Sequence, residues 1–143
     1  MPYRLNPSYA NQFYHIYNRG NNRENIFFES RNYLYFLQRL LEIFNNKIDL
    51  IAYCLMPNHY HLTVIPLNDG EIEKAMQKIS TGYTRAINKS LNRTGHLFSG
   101  RYKSKLIPDD NYLIHLVRYI HLNPVRAGLV DRLEDWEFSS YRE

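Results

Sequence analysis

A chain of 143 residues that is 44% hydrophobic and carries a net charge of +4 has the size of one globular domain with a modest core, so a single domain over 1–143 is expected. No run approaches the roughly 20 uninterrupted apolar residues of a membrane span, and Met1-Pro2-Tyr3-Arg4 lacks a signal peptide's apolar stretch; no membrane partner and a cytoplasmic location are expected. The single cysteine, Cys54, excludes an intrachain disulfide and a cysteine-based metal site, and within the apolar run Leu50 to Met56 it reads as a buried thiol.

Gln12 to Asn18 is rich in aromatic and β-favouring side chains and leads into Arg19-Gly20-Asn21-Asn22, which predicts a first strand followed by a polar loop. From Ser30, read as an N-cap, to Asn46, the residues Tyr33, Phe36, Leu37, Leu40, Leu41 and Phe44 recur at helical spacing. Ile48 to Met56 and His59 to Pro66 are apolar runs separated by Pro57-Asn58, the pattern of a hairpin. Glu71 to Leu91 is expected to form a second helix with Ile72, Ala75, Met76, Ile79, Tyr83, Ala86, Ile87 and Leu91 inward. Glu71 and Glu73 then read as first-turn residues rather than a catalytic pair. Asn92 to Gly95 ends that helix, and Arg101 to Ile107 alternates as a strand. A third helix is expected from Asn111 to Asn123, interrupted by Pro124, which lacks an amide donor and restricts its predecessor. The tail from Asp131 to Glu143, with Trp136, Phe138 and Tyr141, should pack back as short irregular or helical structure.

Strand, helix, strand, strand, helix, strand is the split βαβ order. The expected class is α+β, ferredoxin-like, with an antiparallel sheet and an additional C-terminal helix carrying Tyr119. Many activities use this arrangement, so function must be argued from a site.

Charge is distributed unevenly. Lys74 to Pro108 holds eight Lys or Arg residues and no acid, whereas residues 1–73 carry six basic and seven acidic side chains and residues 109–143 four and seven. An acid-free basic stretch suits a polyanion, because neutralised phosphates release counterions. A solvated helix face followed by a Lys-rich edge strand would look similar. Thirteen tyrosines supply core and rim residues and candidates for base stacking.

His59 and His61, two apart on a strand, share a face while Tyr60 points the other way. Two neutral imidazoles make half of a metal site, and a lone His-x-His is a weak signal. Tyr119 and Asn123 lie one helical turn apart, so a phenol and an amide oxygen can reach one point. In the competing structural reading Tyr119 packs on the sheet and Asn123 caps the helix before proline.

Three stretches in order, Met56-Pro57-Asn58-His59-Tyr60-His61-Leu62, Gly95 to Ser104, and Tyr119-Ile120-His121-Leu122-Asn123-Pro124-Val125-Arg126-Ala127-Gly128-Leu129-Val130, resemble the single-tyrosine (Y1) HUH transposases, and among them the group associated with repetitive extragenic palindromes. The similarity runs from the Asn18-Arg19-Gly20-Asn21 loop to Trp136-Glu137-Phe138-Ser139-Ser140-Tyr141. It implies a divalent-metal site at His59 and His61, with Tyr60 as the intervening hydrophobe, Tyr119 as nucleophile and Asn123 as third ligand. Mg²⁺ or Mn²⁺ suits such mixed imidazole and oxygen ligation, and transesterification needs no nucleotide cofactor. The implied substrate is single-stranded DNA with hairpin or palindromic structure, cut through a 5′-phosphotyrosine. Relatives include dimers, with one subunit's tyrosine helix over the other's histidines, and monomers, so a homodimer is a candidate.

Arg85, Lys89 and Arg93 along one helix stripe, and Arg101, Lys103 and Lys105 alternating on one strand, are candidate phosphate contacts. Arg19, Asn21 and Asn22 are candidates for reaching hairpin or guide bases. His15, His96, His115 and His121 are not assigned to metal. Two rivals use similar parts: a rolling-circle replication initiator or relaxase-like nickase, and a non-cleaving nucleic-acid-binding module or repressor.

Overall fold

The computed structural model describes residues 7–142; Met1 to Arg4, read above for the absence of a signal peptide, and Glu143, the last residue of the expected tail, lie outside the described residues. The elements are β1 (Tyr14–Arg19), α1 (Ser30–Phe44), β2 (Ile48–Met56), β3 (His59–Pro66), α2 (Glu71–Ser90), β4 (Lys103–Leu106) and α3 (Asp110–Arg126). The sheet order is β2-β3-β1-β4 with every neighbouring pair antiparallel. This is the expected α+β split βαβ sheet.

Each face of the sheet is covered, as strand alternation requires. Tyr14 and Ile16 of β1, Tyr53 and Leu55 of β2, and Tyr60, Leu62 and Val64 of β3 meet Tyr33, Phe36, Leu40 and Phe44 of α1 and Ile72, Met76, Ile79, Tyr83 and Ile87 of α2. On the other face Ala52, Cys54 and Met56 of β2 pack with Ile107 and with Leu116 and Ile120 of α3. Leu41 and Leu91, expected on the inward stripes, are exposed, because each falls at the edge of its helix's apolar arc.

Several boundaries differ from expectation for identifiable reasons. The N-cap of α1 is Glu29 rather than Ser30: the Asn32 amide oxygen accepts from the backbone N–H of Phe28 at 2.8 Å and of Glu29 at 2.9 Å, closing the first turn. Strand β4 begins at Lys103, not Arg101. Its pairing with β1 ends at Tyr17↔Lys103, and the Asn18 amide then donates to the Gly100 carbonyl at 3.1 Å, so the chain peels away before Arg101.

Helix α3 starts at Asp110, where the Asp109 carboxylate accepts from Tyr112 N–H at 2.8 Å, and it runs through Pro124 to Arg126. The expected interruption at Pro124 does not occur. Proline's fixed φ is compatible with a helix, so Pro124 is accommodated near the helix end despite its missing amide donor and the crowding of its ring against the preceding turn, and Ala127 N–H still reaches the Asn123 carbonyl at 2.9 Å. The tail folds as two short 3₁₀ turns, Leu133–Asp135 and Ser140–Arg142, and covers the free edge of β2: Leu55 N–H donates to the Phe138 carbonyl at 2.8 Å and the Trp136 indole to the Leu55 carbonyl at 3.0 Å. Among the described residues no helix is long and apolar enough to cross a membrane.

Candidate active site

The β3 register decides which side chains meet α3. Opposite His61 stand Cys54 on β2 and Tyr17 on β1, and Tyr17 in turn faces Lys103 on β4; the next row holds Thr63, His15 and Lys105, and the row at the strand's start holds Met56, His59 and Arg19. Because strand neighbours alternate, all of these side chains project from the α3 face.

Over this face α3 brings Tyr119 and Asn123. The Tyr119 and His61 rings lie edge to face with centroids 5.9 Å apart, and the His59 and His61 rings do likewise at 5.1 Å. The Asn123 amide nitrogen is 3.3 Å from His59 Nε2. The sequence-derived quartet therefore converges, and it does so within one chain. Tyr119 is 45% exposed. The Arg126 guanidinium sits 5.6 Å from the centre of the Tyr119 ring.

Hydrogen bonds fix the state of His59. Asn58 donates its amide N–H to the Arg23 carbonyl at 3.3 Å, which leaves its oxygen to accept from His59 Nδ1 at 2.8 Å. His59 Nε2 then keeps its lone pair, and the Asn123 amide N–H occupies it. His61 is 8% exposed and its Nδ1 lies 2.9 Å from His15 Nε2, so Nε2 is its remaining nitrogen. Burial lowers the His61 pKa to about 3, helped by the neighbouring His15 and His59, and that of His15 to about 4, helped by Lys105. Burial lowers His59 as well. Burial thus favours the neutral form of all three imidazoles, the form that ligates metals.

Among the described residues no three His, Cys, Asp or Glu side chains group as a metal site. Two imidazole nitrogens and an amide oxygen nonetheless fit a divalent ion with open positions, provided Asn123 presents its oxygen in place of the amide nitrogen that now meets His59 Nε2. Beside the quartet lies a depression of about 340 Å³ walled by His15, Tyr17, Lys105, Tyr112, His115, Leu116 and Tyr119.

The candidate DNA contacts divide between the two faces of the sheet. Arg19, Lys103 and Lys105 project from the site's face. Asn21 and Asn22 form a 3₁₀ turn just beyond β1, with Asn22 in the left-handed region at φ 56°. Arg85 and Arg101 instead line a separate groove of about 1250 Å³ between α2 and the 95–102 segment, together with Lys74 and His96. Arg101 thus does not continue the row of Lys103 and Lys105, since it precedes the strand. Lys89 and Arg93 also lie on the α2 side, where the Arg93 guanidinium donates to Asn88.

Sequence reasoning missed Asn58, which reads only as a turn residue, and His15, whose contact with His61 depends on the cross-strand register. The alternation of β1 does put His15 on one face with Tyr17; nothing local says which strand lies alongside.

A family model described as IS200-like transposase matches residues 8–123. The chain belongs to that family. This transposase-family chain is 30% identical over 103 residues to a candidate REP-associated tyrosine transposase of Haemophilus influenzae, an alignment covering 65% of this chain and 58% of the relative. It is 26% identical over 98 residues to a REP-associated tyrosine transposase of Escherichia coli K12, covering 68% and 56%. The chain thus spans little more than half the length of these curated relatives. Its fold matches the structure of a REP-associated tyrosine transposase bound to a REP hairpin, with a TM-score of 0.79 at 21% identity over 99% of this chain and 83% of that one. A candidate transposase from Deinococcus radiodurans matches at a TM-score of 0.56 and 14% identity over 83% and 95%.

Proposed function

We propose that this chain is a catalytic unit that nicks and rejoins single-stranded DNA, with Tyr119 as nucleophile and His59, His61 and Asn123 as ligands of a divalent ion, Mg²⁺ or Mn²⁺. The observation that carries this reading is the convergence of those four side chains under α3 in one chain.

The Tyr119 oxygen attacks the scissile phosphorus, forming the Tyr–O–P bond as the P–O3′ bond breaks. The phenol proton passes to solvent, and the departing 3′ oxygen takes up one in return. The product is a 5′-phosphotyrosine and a free 3′-hydroxyl, and because one phosphodiester replaces another, a second 3′-hydroxyl can reverse the step without a nucleotide cofactor. A bound divalent ion would draw charge from the phosphate oxygens during attack. Arg126, over the Tyr119 ring, supplies a positive charge beside the phenol. Lys103, Lys105 and Arg19 flank the path across the site's face. The groove containing Arg85 and Arg101, with Lys89 and Arg93 nearby, offers a second basic surface on the opposite face. A structured DNA bearing a hairpin can engage both surfaces, a substrate class also suggested by the REP hairpin in the structural relative. Convergence within one chain supports a site assembled without a homodimer, and the proposed location is cytoplasmic.

The test uses hairpin-bearing single-stranded DNA labelled at either end, with Mg²⁺ or Mn²⁺. Wild type is expected to form a denaturant-stable protein–DNA band carrying only the 3′-side label, and Tyr119→Phe to form none while still binding DNA. A band of equal intensity from Tyr119→Phe rules out the nucleophile assignment, and binding without any covalent product from wild type favours a non-cleaving module.

A further inference from the structure

We infer that His15 is a positioning residue for the metal site: by accepting a hydrogen bond from His61 Nδ1–H, it holds the His61 imidazole in the tautomer and orientation that leave Nε2 free for an ion. This rests on the proposed role of His61 as a ligand, and deepens it.

His15 Nε2 and His61 Nδ1 are 2.9 Å apart, and both residues are 8% exposed. Their rings lie within 20° of parallel with centroids 5.2 Å apart, and the Tyr17 ring stacks on His15 at 4.7 Å while lying 6.1 Å from His61. The pair forms because β1 and β3 place Thr63 opposite His15 and Tyr17 opposite His61, so the two histidines are diagonal neighbours on one face, within reach of long side chains.

One proton sits between the two nitrogens, and it has two arrangements. If His15 Nε2–H donates into His61 Nδ1, neutral His61 carries its own proton on Nε2, and the nitrogen that faces the site has no lone pair to offer. If His61 Nδ1–H donates to His15 Nε2, His61 Nε2 is free. Only the second arrangement supports a ligand, and it requires an acceptor at the His15 position. His59 has the corresponding acceptor in the Asn58 amide oxygen, 2.8 Å from its Nδ1. Each histidine of the pair thus has its own partner on the far nitrogen, the arrangement that fixes ring orientation in metal sites. His15 is not itself a ligand in this arrangement, since its Nε2 is committed to the inner nitrogen of His61 and it forms no three-residue ligand group with His59 and His61.

The test compares His15→Phe, which keeps an aromatic ring without an acceptor, with His15→Gln, whose amide oxygen can stand near the Nε2 position. Mn²⁺ affinity is read from the electron paramagnetic resonance of the free ion, and folding from circular dichroism melts. His15→Phe is expected to weaken Mn²⁺ binding about 10- to 100-fold, and His15→Gln to stay within about threefold of wild type. In long-range ¹H–¹⁵N spectra of the Mg²⁺-saturated wild type, His61 should carry its proton on Nδ1, and in His15→Phe the Nε2–H form should appear. Unchanged Mn²⁺ affinity in a folded His15→Phe, or an Nε2–H His61 in the Mg²⁺-saturated wild type, overturns the inference. Should His15→Phe fail to fold, the wild-type spectrum together with His15→Gln decides it. His61→Ala separates the two levels: full Mn²⁺ affinity in that variant removes the metal site and the inference with it, whereas lost affinity there beside unchanged affinity in His15→Phe removes only the role of His15.

Discussion

Tyr60, the residue between the two histidines, provides a sharp test of how the site is built. Its side chain points away from them into the α1 and α2 core, where it is fully buried, its ring centroid 5.2 Å from that of Phe36 and 6.1 Å from that of Phe98. Among the described residues its hydroxyl meets no hydrogen-bond partner. Burial pushes its pKa far above the usual phenol value, and the neighbouring Tyr102 adds to the rise. A hydroxyl buried without a partner costs about 1–3 kcal/mol relative to water. Tyr60→Phe keeps the ring and removes that cost, offset in part by the small void where the oxygen was. A net gain of about 1 kcal/mol is expected, which for a chain of this length corresponds to a rise of about 4 °C in Tm. Differential scanning calorimetry measures it directly, and Mn²⁺ affinity and covalent-complex formation should be unchanged because the ring faces the opposite side of the sheet. A Tm lowered by more than about 2 °C would refute the reasoning, since it would mean that the hydroxyl makes a favourable interaction in the folded protein.

Asn123→Ala should weaken Mn²⁺ binding about tenfold and lower the yield of covalent complex in parallel, with little change in Tm because the side chain is only half-buried; unaltered affinity removes Asn123 from the ligand set. Lys103→Ala should weaken binding to single-stranded DNA and reduce the slope of log affinity against log salt by about 1, measured by fluorescence anisotropy across a KCl series. An unchanged slope would take Lys103 off the phosphate path. Cys54 is fully buried, and burial raises its pKa to about 12. The sign follows directly: the thiol stays protonated well above pH 8, so a disulfide reagent should label the native protein slowly at that pH and rapidly once it is denatured. Fast native labelling would show Cys54 to be accessible.

Much of the architecture was legible because the apolar period changes cleanly along the chain. The hairpin from Ile48 to Pro66 and the two helices on its far side have the predicted type and nearly the predicted ends. The exceptions were set by single hydrogen bonds or by local geometry that composition does not carry. Asn32 moved the start of α1, Asn18 stripped Arg101 from β4, and a proline with helical φ let α3 continue past Asn123. The positions of His59, His61, Tyr119 and Asn123 could be marked from spacing, but their meeting depends on where α3 docks, which no local pattern states. The partners of the imidazoles were harder still, since His15 and Asn58 act through contacts of 46 residues' separation and of one.

That docking is nevertheless enforced by the sequence at one remove. A slip of β3 by one residue against β1 and β2 would turn His59 and His61 into the α1 and α2 core and put Tyr60, Leu62 and Val64 under α3. Tyr60, Leu62 and Val64 are each fully buried where they stand, so the slip would take three large residues out of the α1 and α2 core and bury two imidazoles there among apolar side chains. The opposite face is locked in the same way, because Ala52, Cys54 and Met56 of β2 offer α3 an apolar seat for Leu116 and Ile120. Those two residues lie three before and one after Tyr119, and Ile120 lies three before Asn123. Once Leu116 and Ile120 are seated, the helical period swings Tyr119 and Asn123 to the flank beside His59 and His61. The apolar pattern that holds the fold together therefore also aims the phenol and the amide at the histidines.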